Sequence, residues 1–135
     1  MPELRDKICA LSQISIEDKQ HDDSIYFPLS DRAITEIGKV IFRAKLKEYK
    51  FEINSHDIRH TKKRHPNDFH YVCEIPKIVT EFTKVKHSLI KHKKTGKTIQ
   101  SIEFYKKFDD TEVKLVKVDL LKEKILRLKT IFIPS

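Results

Sequence analysis

The stretch YKFEINSHDIRHTKKRHP (Tyr49–Pro66) decides the fold, because its hydrophobic period changes partway along. Three alternate residues at its start are apolar: Tyr49, Phe51 and Ile53. This period of two predicts a short strand. The next two residues, Asn54-Ser55, can cap a helix over residues 56–65, which Pro66 must terminate. We therefore predict a strand that leads directly into a basic helix.

The chain after this unit contains one more helix signal and then only strand signals. Pro76 opens a short helix with four apolar residues facing a core: Ile75, Ile78, Val79 and Phe82. Turns are predicted at 95–97 and at Asp109-Asp110, with alternating segments around them. We expect the strand at Val113–Val118 to change its buried face at a β-bulge. In the last strand we expect four residues to share one face: Leu126, Leu128, Thr130 and Phe132.

The chain before this unit is predicted to be helical. Pro2 starts a helix that we expect to end near Leu11, and residues 17–24 form a polar loop. Ser30 caps a second helix, which Gly38 is expected to end early. The predicted fold class is α+β, with N-terminal helices packed on a C-terminal antiparallel meander of about four strands. We expect one domain over 1–135, with a helical part at 1–48 and a core at 49–135.

The net charge of +8 is unevenly distributed. Residues 1–50 hold nine basic and nine acidic side chains, whereas residues 51–135 hold nineteen and eleven. No acidic residue lies between Glu81 and Glu103, a segment with six lysines. Such a field attracts a polyanion, either a nucleic acid or an acidic protein surface. A surface that is merely rich in solvated lysine is the alternative.

Several classes of protein are excluded or disfavoured by the sequence. No apolar run approaches the roughly 20 residues that span a bilayer. The two glycines are isolated, so a glycine-rich phosphate loop is absent. We interpret Cys9 and Cys73 as free thiols, which suits a reducing cytosol. His56 and His60 have the spacing of a zinc-binding helix, but Asp57 stands where such a motif carries glutamate, and we predict no metal and no cofactor.

The predicted helix 56–65 has the residues that cleavage of RNA through the ribose 2′-hydroxyl requires. This reaction needs a base, an acid and cations that stabilise the phosphorane. Histidine suits both proton roles, because its ordinary pKa is about 6.5. The cations of the helix are Arg59, Lys62, Lys63 and Arg64. The alternative is a solvated basic helix without catalytic function.

The sequence also resembles a known family, the phage-associated members of the barnase/EndoU/colicin/RelE-like nucleases. The resemblance lies in DIRHTKKRHP (Asp57–Pro66), IPKIV (Ile75–Val79) and the closing LRLKTIFIPS (Leu126–Ser135), and it covers about residues 49–135. It implies helices packed on a four-stranded antiparallel sheet. It also implies metal-independent RNA cleavage, in toxin domains of phage, plasmid or conjugative elements that act on tRNA or ribosome-bound messages.

The residues that match the family's motif are His60 and His65 of the helix and Thr130 of the last strand, which the resemblance implies are catalytic. From the residues alone, Thr130 is either a β-branched residue that only packs within the strand or a hydroxyl that lies beside the scissile phosphate. We predict that five residues contact RNA phosphates: Arg59, Lys63, Arg64, Lys91 and Lys129. Participation of His56 is left open.

We therefore predict a toxin-type endoribonuclease of a mobile element. Because the chain begins at Met1 without a large delivery domain, we expect a small stand-alone protein of the cytoplasm. Its expected partners are RNA, such as tRNA or mRNA, and an acidic antitoxin or immunity protein. The alternatives are a noncatalytic nucleic-acid-binding module and an adaptor that docks on an acidic protein.

Overall fold

The computed structural model describes residues 2–42, 45–91, 94–120 and 123–134, and the side chains of these residues except at 2, 90, 116 and 118–120. The helices in these residues are α1 (Pro2–Glu17), α2 (Asp31–Val40), α3 (Ser55–Arg64) and α4 (Ile75–Glu81). Two 3₁₀ segments, Leu46–Glu48 and Pro66–Glu74, connect them to their neighbours. The strands are β1 (Ser24–Pro28), β2 (Lys50–Asn54), β3 (Lys84–Lys91), β4 (Thr98–Phe108), β5 (Thr111–Leu120) and β6 (Ile125–Phe132).

The strands of the described residues form one mixed sheet in the order β1-β2-β6-β5-β4-β3. The predicted meander is confirmed, because β3, β4, β5 and β6 pair antiparallel in succession. At the other edge, β2 pairs antiparallel with β1 and parallel with β6. The fold class is α+β, as predicted. The described helices alternate with β1 and β2 in the first part of the chain, and the antiparallel meander β3–β6 follows them.

Local chemistry explains where the predicted helices begin and where the hairpins turn. The Ser30 hydroxyl accepts a hydrogen bond from the Ala33 amide at 3.1 Å and starts α2. The Asn54 side chain accepts one from the Asp57 amide at 2.8 Å and starts α3, within one residue of the prediction. Gly96 and Asp109 adopt φ values of 69° and 56° at the two predicted turns.

The helices cover one face of the sheet. Residues paired across neighbouring strands share a face, so the rows Phe104–Leu115–Ile131 and Ile102–Lys117–Leu128 lie on this covered face. Buried helical residues join the same core: Ala33, Ile37, Ile58, Ile78 and Val79. The opposite face, which we call the open face, carries mostly charged and aromatic side chains. Side chains of the open face contact Asp57 of α3 and His65, which directly follows α3.

Two elements differ from the sequence prediction. The prediction that α1 ends near Leu11 is wrong, because the helix continues to Glu17. Its later turns bury small polar residues, and the Ser15 hydroxyl donates to Ser55 Oγ of α3 at 2.9 Å. Because Ser12 and Ser15 occupy buried positions of α1, the apolar period of the helix is not visible in this part of the sequence. Strand β1 was not predicted, and Gly38 does not end α2 early.

The predicted bulge lies at the expected place, but in the other strand. Val113, Leu115 and Lys117 are all buried, so β5 keeps one alternation throughout. The register shifts between Val116, which pairs with Thr130, and Lys117, which pairs with Leu128. The extra residue is therefore Lys129 of β6.

This bulge corrects our prediction for the last strand. Leu126 and Leu128 are buried on the covered face, and the next buried residue is Ile131 rather than Thr130. Thr130 and Phe132 thus lie on the open face, because the extra residue at Lys129 reverses the alternation beyond it.

The interpretation of the cysteines as free thiols is wrong. Cys9 of α1 and Cys73 of the 3₁₀ segment form a disulfide with a Cα–Cα distance of 5.0 Å. The crosslink holds α1 against the segment that follows α3. Within the residues described, no helix has the length and apolar character needed to cross a membrane.

Candidate functional site

Helix α3 lies beside the later residues of β6, whereas β2 pairs with the first residues of that strand. Strand β2 pairs with β6 only from Lys50 to Glu52, after which the chain turns into α3. Asp57 Oδ2 of the helix lies 4.0 Å from Arg127 Nε of β6, and His65, which follows the helix, stacks on Phe132 farther along the strand. Lys129 lies between these two positions, and its charge is one of those that lower the pKa of His60. We call this line of contact the α3–β6 edge. It brings together the helix and the strand that carry the predicted catalytic residues.

His60 lies on the exposed side of α3, where its ring stacks against that of His56 at 6.4 Å between centroids. The pKa of His60 is lowered, first by partial burial of its ring and then by the positive charges around it. These charges belong to Arg64, His56, Lys63 and Lys129. The imidazole of His60 is therefore mainly neutral at pH 7 and able to accept a proton.

His65 follows the last turn of α3. Its amide donates to the Thr61 carbonyl at 2.8 Å, which closes the helix before Pro66. Its half-buried ring stacks on Phe132 of β6, with 4.6 Å between the centroids and 12° between the planes. This contact fixes the position of the imidazole at the open face.

Thr130 lies on the open face of β6, between Lys129 and the stacked pair His65–Phe132. Its Oγ1 atom is buried and has no hydrogen-bond partner among the described residues. A buried hydroxyl without a partner costs roughly 1–3 kcal/mol. A bound ligand with an acceptor or donor at this point would remove that cost.

The predicted phosphate contacts fall into two groups. Lys63 and Arg64 are exposed on the last turn of α3, and with Lys129 they surround His60. Arg59 instead donates from Nη1 to the carbonyls of Ser15 (3.2 Å) and His21 (2.9 Å), so it joins α3 to α1 and the loop after it.

Lys91 is exposed at the far end of β3, which is separated from β6 by the strands β5 and β4. Three steps between strands correspond to about 14 Å. The structure therefore does not bring Lys91 to the α3–β6 edge.

Sequence reasoning missed a polar cluster around the buried side chain of Glu52, at the start of this edge. Arg127 Nε donates to Glu52 Oε1 at 2.6 Å, and the Tyr26 hydroxyl donates to Glu52 Oε2 at 2.8 Å. Burial opposes ionisation of Glu52, but these hydrogen bonds outweigh it and lower its pKa. No local sequence pattern reveals the cluster, because its three residues lie on three different strands. In the sequence, Glu52 is simply a polar residue in a strand where polar and apolar residues alternate.

Asp57 and Lys117 lie beneath this cluster. Lys117 is fully buried, and its ammonium donates to the Glu52 carbonyl at 3.3 Å. Burial lowers the pKa of Lys117 to about 7, although the charges of Asp57 and Glu52 oppose this change. Burial also raises the pKa of Asp57, whose Oδ2 atom has no hydrogen-bond partner among the described residues and lies 4.0 Å from Arg127 Nε.

A metal site on the predicted zinc-like spacing lacks its further ligands. Cys73, whose residue type could supply a further ligand, is bonded to Cys9. In the described ranges, no three His, Cys, Asp or Glu side chains are grouped so that they could hold a metal ion.

A basic helix with neutral histidine, set beside the inner strand β6 of a mixed sheet, has the features of a protein that cleaves phosphodiesters. Residues 32–135 match the family described as phage-Barnase-EndoU-ColicinE5/D-RelE like nuclease3. The chain belongs to this nuclease family. No curated protein and no solved structure matches the chain.

Proposed function

We propose that this protein is an endoribonuclease that cleaves RNA without a metal ion, through attack of the ribose 2′-hydroxyl. The observation that carries the proposal is the environment of His60. Its pKa is lowered by partial burial and by the cations of α3 and β6 around it. A neutral base surrounded by cations suits a reaction in which a proton is removed while negative charge builds up on a phosphate.

In the proposed mechanism, His60 takes the proton from the 2′-hydroxyl, and the 2′-oxygen attacks the adjacent phosphorus. The bond from phosphorus to the 5′-oxygen breaks, and His65 gives a proton to this leaving oxygen. The products are a 2′,3′-cyclic phosphate and a free 5′-hydroxyl. Lys129, Arg64 and Lys63 stabilise the phosphorane charge, and the Thr130 hydroxyl bonds to a phosphate oxygen.

The test is cleavage of total RNA by the purified chain in EDTA, with analysis of the fragment ends. We expect 2′,3′-cyclic phosphate ends from the wild-type protein. The substitution His60→Gln should lower the rate by roughly 10²-fold or more, because it removes a proton-transfer group. His70→Gln, on the exposed surface of the 3₁₀ segment, is the matched control and should cleave at the wild-type rate.

Three outcomes would refute the proposal or part of it. Cleavage that requires a divalent ion would exclude the metal-independent mechanism. Fragments with 3′-hydroxyl ends would exclude attack by the 2′-hydroxyl. Full activity of the His60→Gln variant would remove His60 from the reaction, and RNA binding without any cleavage would favour the noncatalytic binding module.

We also propose that the protein acts as a toxin of a mobile element, on tRNA or mRNA, and that an acidic antitoxin neutralises it. The support is the phage association in the family description and the net charge of +8. Induced expression should arrest growth, and His60→Gln should abolish the arrest at equal protein levels. Growth arrest by the inactive variant would contradict the proposal.

A further inference from the structure

A second cationic cluster lies on the open face and extends from β5 to β3, the strand farthest from the α3–β6 edge. The ring of Tyr105 on β4 is approached by the ammonium groups of three lysines from two other strands. The distances to the ring centroid are 4.7 Å for Lys84, 5.5 Å for Lys86 and 5.7 Å for Lys114. Cation–π attraction to the shared ring holds the three positive charges together. We call these four residues the Tyr105 cluster.

The Tyr105 cluster carries more positive than negative charge. Glu103, the carboxylate beside it, pairs with Lys114 at 3.3 Å and accepts hydrogen bonds from Tyr105 (3.0 Å) and Ser88 (3.2 Å). Lys84 and Lys86 are exposed and have no carboxylate partner among the described residues. Like charges held near one ring repel each other, so an anion between them would relieve an existing cost.

The sheet register sets the distance between this cluster and the proposed reaction site. Thr130, Val116, Glu103 and Lys86 pair in one row across β6, β5, β4 and β3. Three steps between strands correspond to about 14 Å. Lys84 and Lys86 of the Tyr105 cluster are therefore on the same face as Thr130 but too far away to share its phosphate, whereas the Lys114 ammonium lies between the two positions, 5.7 Å from the centroid of the Phe132 ring.

We propose that the Tyr105 cluster binds a backbone phosphate of a single-stranded RNA that lies across the open face, with its scissile phosphate at His60 and Thr130. This inference rests on the proposed function and specifies the substrate as a single strand longer than a dinucleotide. The surface between the two positions ends at the partly exposed rings of His65 and Phe132, and unpaired bases stack on such rings.

The test compares two substrates. A dinucleoside monophosphate has the scissile phosphate and no other, so no phosphate of it reaches Lys84 and Lys86 of the Tyr105 cluster. An oligoribonucleotide of about 12 nucleotides without secondary structure can occupy both positions. The test variant is Lys84→Gln with Lys86→Gln, and the control is Lys39→Gln with Lys77→Gln, which removes the same charge from exposed positions of α2 and α4.

We expect the test variant to cleave the dinucleoside monophosphate at the wild-type kcat/KM. On the longer strand, its KM should rise roughly tenfold at low salt with kcat unchanged, because ground-state contacts to a remote phosphate are lost. A plot of the logarithm of the association constant for RNA against the logarithm of the salt concentration should become shallower by roughly 0.7, the contribution of one phosphate on a single strand. The control variant should match the wild type on both substrates.

Failure of this inference is distinguishable from failure of the proposed function. Wild-type protein that cleaves neither substrate would overturn the proposed function. Cleavage of both, with an unchanged KM and salt slope in the test variant, would overturn only the Tyr105 cluster as a phosphate site. Equal binding of duplex RNA would overturn the single-strand specificity, and competition by polyglutamate as strong as by RNA would indicate an acidic protein as the partner.

Discussion

The buried Lys117 makes a quantitative prediction about the pH dependence of stability. Its ammonium lies in the core, 5.2 Å from the centroid of the Phe51 ring, and donates to the Glu52 carbonyl. Burial lowers the pKa of Lys117 from 10.5 to about 7. Between these two pH values the unfolded chain binds more protons at this position than the folded chain. The free energy of unfolding therefore rises with pH across this window, and below pH 7 the full cost of the buried charge is present.

The size of the effect follows from the width of the window. A group that titrates only in the unfolded state changes the free energy of unfolding by about 1.4 kcal/mol per pH unit. From pH 7 to pH 9, Lys117 should therefore add roughly 2–3 kcal/mol to the stability of the wild-type protein. Lys117→Met has a similar length and cannot titrate, so the variant should lack this gain.

The assay is urea denaturation of both proteins at pH 7, 8 and 9. The difference in free energy of unfolding, wild type minus Lys117→Met, should grow with pH, and the contributions of all other titrating groups cancel in it. Lys107→Met, at an exposed position of β4, is the control and should follow the wild-type slope. Parallel pH profiles for the wild type and Lys117→Met would refute the lowered pKa of Lys117.

Three further predictions concern the site and the crosslink. Thr130→Val should leave the melting temperature at or above that of the wild type. It should lower the cleavage rate roughly tenfold to hundredfold, because a hydrogen bond to a charged oxygen is lost. Unchanged cleavage would remove Thr130 from the site. Arg127→Met should cost roughly 1–3 kcal/mol at pH 7, measured by urea denaturation. This cost should shrink as the pH falls through the lowered pKa of Glu52, because protonation removes the charge that Arg127 pairs with. The Cys9–Cys73 disulfide spans 64 residues, so its reduction should lower the melting temperature and destabilise the protein by up to about 4 kcal/mol. An unchanged melting temperature would contradict the crosslink.

The parts of the fold that the sequence predicts are those governed by local chemistry. The boundaries of β2 and α3 follow from an alternation, a cap and a proline within Tyr49–Pro66, and the structure confirms them within one residue. The same holds for the turns at Gly96 and Asp109, where the backbone adopts positive φ. Each of these signals acts over a few residues, so neighbouring sequence is sufficient to detect it.

The features that the sequence does not predict depend on pairing between distant segments. Lys129 is a bulge only because Thr130 and Leu128 pair with consecutive residues of β5, and nothing in β6 itself indicates the extra residue. Glu52 and Arg127 form their ion pair through the parallel pairing of β2 with β6, across 75 residues of sequence. The disulfide likewise requires α1 to lie against the segment after α3.

The candidate site lies where the regular sheet is interrupted, and three residues show why. The pairing of β2 with β6 ends at Glu52, and the buried ammonium of Lys117 donates to the carbonyl of this residue. Helix α3 fills the space beside β6 with side chains rather than with backbone, so histidine can border the strand. The bulge at Lys129 then turns Thr130 away from the core and toward the open face. A regular ladder between β5 and β6 would have kept Thr130 on the covered face, so the bulge at Lys129 and the end of β2 pairing beside α3 together create the surface on which we place the reaction.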